Sequence, residues 1–81
     1  MNSMLILKEK TDNTVVYLYS IDKEDAPSDG EIECVLATEK FKTIKRATGD
    51  DDGGHAAWLH PHLWRTIFKE NCPNRRFIAT G

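Results

Sequence analysis

Thr14-Val15-Val16-Tyr17-Leu18-Tyr19-Ser20-Ile21 carries β-branched or aromatic side chains at six of its eight positions, the residue types a pleated strand accommodates best. Val15, Tyr17, Tyr19 and Ile21 fall on one face, and Val16 and Leu18 alternate with them on the other. Upstream, Met4-Leu5-Ile6-Leu7 is too short for a helix and apolar enough to read as a strand covered on both faces, with polar residues 8–13 turning the chain between the two. Downstream, Asp25-Ala26-Pro27-Ser28-Asp29-Gly30 combines a residue that presets φ with one that tolerates positive φ, so residues 22–30 are expected to reverse or cross over without a regular element.

Residues 31–36 place Ile32, Cys34 and Leu36 on one side and Glu31 and Glu33 on the other, a clean period of two. Residues 41–46 follow after the four-residue span Ala37-Thr38-Glu39-Lys40, which suits a hairpin. The acidic strand then lies beside Lys42, Lys45 and Arg46, and opposite charges across strands contribute roughly 0.2–1 kcal/mol each.

A glycine- and aspartate-rich loop, residues 48–54, precedes a different periodicity. Ala56, Leu59, Leu63 and Ile67, with Trp64 and Phe68, recur at spacings of three and four, the stripe of an amphipathic helix predicted over residues 57–70. That start keeps Pro61 in the first turn, where its missing N–H has no helical partner to lose; a start further upstream implies a kink. Asn71 suits the left-handed position that ends a helix, Pro73 forbids continuation, and residues 77–79 fit one last short strand.

These segments predict a single α+β domain over residues 1–81, an antiparallel sheet of four to five strands in the order β-β-β-β-α-β with the one C-terminal helix on one face. The helix is expected to bury Leu59, Leu63, Trp64, Ile67 and Phe68 against Ile6, Val16, Leu18, Ile32, Cys34 and Ile44 or their strand neighbours. The other sheet face then stays open, crowded by Val15, Tyr17 and Tyr19, and an uncovered apolar sheet face is a partner site or a dimer interface.

Composition sets the outer limits. The chain has 81 residues, 40% hydrophobic and 30% charged, which fits a globule and excludes collagen, a coiled coil and a disordered acidic tail. Its aliphatic run Met4-Leu5-Ile6-Leu7 is far short of the roughly 20 residues that span a membrane, and no leader pattern opens the sequence, so a cytoplasmic protein without membrane contact is expected. Cys34 and Cys72 are 38 positions apart with no second cysteine near either, which writes neither a disulfide framework nor a zinc knuckle; one bridge between them stays open, and two free thiols are the expectation in that compartment. Residues 1–40 carry four lysines against nine acids, net −5, whereas residues 41–81 carry seven basic residues against four acids, net +3.

Three constellations carry candidate chemistry. Asp50-Asp51-Asp52-Gly53-Gly54-His55, with His60 and His62, offers carboxylates and imidazoles for a divalent metal, Asp52, His55 and His60 being the ligand set considered. Spacing opposes a neat site: His60 and His62 are two apart and point to different sides of a helix, and His55 and His62 stand roughly 10 Å apart along one face. Asp51 or Asp52 also has a simpler task, meeting the free N–H groups at the helix start. The basic residues Lys42, Lys45, Arg46, Arg75 and Arg76, with an indole from Trp58 or Trp64, offer single-stranded nucleic acid a phosphate-binding and stacking face, though the pI of about 5.8 and the lack of a recognition motif oppose this. Tyr17, Tyr19 and Trp58 are the candidates for a protein-contact surface.

No phosphate-cradling loop, dinucleotide fingerprint or nucleophile elbow is present, and Cys34 lies on an apolar strand face, so neither a cofactor nor catalysis is expected. The function that remains is a small non-enzymatic binding or regulatory module acting through protein contacts, with a protein partner or self-association as a homodimer; nucleic-acid binding and the metal site are the alternatives.

Overall fold

The computed structural model describes residues 1–79. Along the chain run β1 (Asn2–Lys10), β2 (Thr14–Tyr19), β3 (Gly30–Val35), β4 (Lys40–Lys45), α1 (Gly54–Phe68) and β5 (Arg75–Ala79). All strand pairings are antiparallel, in the spatial order β4-β3-β2-β1-β5, so the fold is the α+β arrangement β-β-β-β-α-β that the sequence implies. Helix α1 crosses back over the sheet and delivers β5 to the free side of β1, with Asn2 opposite Ala79.

Local chemistry closes each hairpin. Between β1 and β2 the Thr11 hydroxyl accepts from the backbone N–H groups of Asn13 and Thr14 at 3.2 and 3.0 Å. Between β3 and β4, Glu39 adopts a left-handed φ of 56° and its N–H donates to the Val35 carbonyl at 2.8 Å. Glu33 then stands opposite Lys42 and Glu31 opposite Lys45, the cross-strand charge pairing read from the alternation.

The face assignment of β2 is inverted relative to expectation. Val15, Tyr17 and Tyr19 are buried together with Leu5, Ile32, Cys34 and Ile78 beneath Ala56, Leu59, Leu63 and Ile67 of α1. Ile6 and Leu18 are half-buried and Ile44 is 49% exposed, because they point to the sheet's other side. Both faces of β2 are apolar, so alternation does not distinguish them. The helix side is selected by the phenols, which find polar partners there: Tyr17 donates to the Pro73 carbonyl at 2.6 Å and Tyr19 to Asp50 Oδ2 at 2.5 Å. The ring of Tyr19 lies on Gly30, where a β-carbon would collide with it. β1, expected to be covered on both faces, is covered on one: Leu5 is fully buried and its neighbours Met4 and Ile6 are only half-buried.

Helix α1 begins at Gly54, three residues before the expected start, which puts Pro61 inside it. Pro61 and Ala57, whose carbonyl the missing N–H would have bonded, are both exposed. At an exposed position solvent can reach the carbonyl, which reduces the interior-proline penalty of about 3 kcal/mol on this side of the helix. Trp64 and Phe68, expected in the core, flank it half-buried, and Thr66 takes the inward position instead. Helix α1 ends at Phe68, two residues before the expected end; beyond it Asn71 and Cys72 both adopt left-handed φ values, 59° and 54°, and Cys72 N–H returns to the Thr66 carbonyl.

Candidate functional site

The Asp/His run is consumed by structure. Asp50 is 4% exposed and accepts three hydrogen bonds: His55 N–H to Oδ1 at 3.0 Å, Ala56 N–H to Oδ2 at 3.0 Å, and the Tyr19 phenol. The unpaired donors of the first helical turn are thus met by a carboxylate upstream of the left-handed Gly53 that starts the helix. Asp52 Oδ1 takes the Gly54 N–H at 2.8 Å, so the capping acids are Asp50 and Asp52, while Asp51 contributes only its carbonyl, to Arg46. Burial pushes the Asp50 carboxyl up, but its hydrogen bonds outweigh that and hold it below the usual carboxylate range; the same burial and the facing carboxylate push the Tyr19 phenol up to about 12.

The imidazoles stack rather than converge. His55 lies parallel to Tyr19 at 6.1 Å and 5.0 Å from Trp58, whose other neighbour is His62 at 5.0 Å, while His60 stacks on Phe41 of β4 at 5.3 Å. Burial lowers the pKa of both His55 and His60, and the Nε2 atom of each is buried without a hydrogen-bond partner. The structure does not bring Asp52, His55 and His60 together, and among the described residues no group of three His, Cys, Asp or Glu is placed to hold a metal ion.

The basic residues are dispersed likewise. Lys42 and Lys45 lie on one edge strand and Arg75 and Arg76 on the opposite edge, four strands away in the order of the sheet. Arg76 Nε is held by Glu70 at 2.8 Å and Arg46 by the Asp51 carbonyl, and acids on β3 oppose Lys42 and Lys45 of β4. Phosphates would meet alternating charges there, not a continuous basic stripe.

Of the contact candidates, Tyr17 and Tyr19 are 1% and 0% exposed and unavailable to a partner, and Trp58 is half-buried between two imidazoles on the helix side. The open surface is the reverse of the sheet. One line across it, fixed by the register, reads Arg75, Ile6, Leu18, Glu31, Lys45, from β5 through β1, β2 and β3 to β4. A second pairs Phe77 with Met4, and a third reads Glu9, Val16, Glu33, Lys42. The centre is apolar, with Met4, Ile6, Val16 and Leu18 on β1 and β2, and Phe77 adds a ring that is 51% exposed. Glu31 and Glu33 form an acidic column beside it; Lys8 bonds Glu31 Oε1 across the face. At one end an open cleft of about 320 Å³ separates Met4 and Phe77 from the loop at residues 21–24.

Sequence reasoning missed Met4, Ile6, Leu18 and Phe77 as surface residues. The available signal was Glu31 and Glu33, which mark the outer face of β3, but the ten-residue connection from β2 to β3 leaves the pairing of the two strands unspecified by length.

The fold and this surface define a small α+β domain with a half-covered sheet. The chain matches no family model, no curated protein and no solved structure. Among the described residues, no helix is long and apolar enough to cross a membrane.

Proposed function

We propose that the chain is a small non-enzymatic binding module that acts by protein contact, and that its working surface is the open sheet face carrying Met4, Ile6, Leu18 and Phe77. The observation that carries this reading is the helix count: one helix roofs one side of a five-stranded sheet, leaving an apolar centre with a charged rim on the other. Such a centre-and-rim pattern is that of protein interfaces. Both cysteines are free thiols, which goes with a reducing, cytoplasmic setting.

The test is photo-crosslinking in cells from Leu18 on the open face, with Arg65 on the exposed side of α1 as control. A discrete protein adduct from Leu18 and none from Arg65 is the expected result. Equal adducts from both sites, or none from Leu18, overturn the reading.

A further inference from the structure

We infer that the occupant of the open sheet face is a second copy of this chain, packed face to face about a twofold axis running along the strands between β1 and β2. This deepens the protein-contact reading and rests on it.

The argument comes from the order of charges across the sheet. In the line Arg75, Ile6, Leu18, Glu31, the two apolar residues are central and a base and an acid stand at equal distances on either side. With strands about 4.8 Å apart, Arg75 and Glu31 each stand about 7 Å from a midline between β1 and β2. A half-turn about that midline reverses the line. Ile6 then lies over Leu18 of the second copy, Leu18 over its Ile6, and each Arg75 over the other copy's Glu31. Along this line the surface is therefore complementary to itself in charge and apolar character, the requirement of an isologous interface, while in the line Glu9, Val16, Glu33 the same half-turn sets each Glu9 at the rim over the other copy's Val16.

Arg75 is free to make this contact, and Glu31, which Lys8 already bonds, keeps one carboxylate oxygen for it. Among the described residues Arg75 has no ion-pair partner, whereas Arg76 is held by Glu70. Lys8 occupies only Oε1 of Glu31. Sheets packed face to face stand about 10 Å apart, a gap that an arginine and a glutamate span together.

Size sets the strength. Four strands contributing about five residues each cover about 320 Å² in projection, below the roughly 800 Å² per partner of a standard interface. The dimer is accordingly weak and reversible, dissociating in the micromolar range or above.

Sedimentation velocity of the purified full chain from about 10 µM to about 1 mM covers that range. A concentration-dependent rise from 9.2 kDa toward twice that mass is expected. Arg75→Glu and Glu31→Arg each weaken association about tenfold, and combining them restores it to within about threefold, because the exchanged pair recurs twice across the axis. Leu18 carrying the photo-crosslinker in the purified chain attaches to residues 4–6 of a second copy, a readout that needs no charge variant to fold. A monomer at every concentration, or a combined variant as weak as the single ones, overturns the proposal. Should the purified chain stay monomeric while Leu18 crosslinks a different protein in cells, this proposal fails and the protein-contact reading stands.

Discussion

The Tyr19 phenol and the Asp50 carboxylate, 31 positions apart in sequence, are joined by a 2.5 Å hydrogen bond at the point where sheet, loop and helix meet. Tyr19 also accepts from Ala47 N–H at 3.0 Å, and Asp50 holds the first turn of α1, so one pair ties β2 to the loop before the helix and to the helix itself. Removing either partner leaves buried donors unpaired. Asp50→Ala strands the N–H groups of His55 and Ala56 and the Tyr19 hydroxyl, and is expected to cost about 2–4 kcal/mol; Tyr19→Phe strands fewer and costs about 1–3 kcal/mol. Asp51→Ala, at an exposed side chain, stays within about 0.5 kcal/mol. Urea unfolding of the three variants checks the order.

Acidification weakens the fold in two stages. His55 and His60 have pKa values lowered by burial, so below the ordinary histidine value of about 6.5 the unfolded chain binds protons that the native state refuses. Stability is full above that value and falls as pH drops through it toward the native values. Asp50, lowered by its hydrogen bonds, contributes stability above the ordinary carboxylate value of about 3.9 that is lost as pH falls through its native value. Urea midpoints measured from pH 8 to pH 3 are expected to decline in both windows. His60→Leu, which also removes a buried unpartnered Nε2, flattens the first decline and raises stability at neutral pH by about 1 kcal/mol.

The two faces of the sheet respond oppositely to truncation. Leu5→Ala, in the core, costs about 2–5 kcal/mol. Phe77→Ser, on the open side, costs less than about 1 kcal/mol and improves solubility at high concentration. A reversal of that order in thermal unfolding would reject the face assignment.

Pro61→Ala restores a backbone donor for the Ala57 carbonyl. The interior-proline penalty of about 3 kcal/mol is already reduced by solvent, and removing proline frees the unfolded chain by about 1 kcal/mol, so a net gain of about 1 kcal/mol is expected. The denaturant midpoint rises while its slope stays constant.

How much of this was legible varies residue by residue. β3 was readable because Glu31 and Glu33 mark one face as outward, and the hairpin to β4 because four residues separate two short strands. The start of α1 was not, because Gly53, Gly54 and His55 lack the usual helix-entry side chains, and beside the local Asp52 the buried cap comes from Asp50, five and six residues before the N–H groups it meets. An open sheet face follows from having one helix for so many strands. Which residues occupy it depends on the register between β2 and β3, a long-range property that Val15 and Val16, equally apolar, do not encode.

The pairing of Asn2 with Ala79 has a consequence in time. During synthesis β1 and β2 emerge early and can join at once, but the outer edge of β1 stays bare until the segment after the helix has left the ribosome. Through that interval the nascent chain carries an adhesive margin that only its own latest-made strand can seal, so a ribosome stalled within α1 should hold an aggregation-prone intermediate.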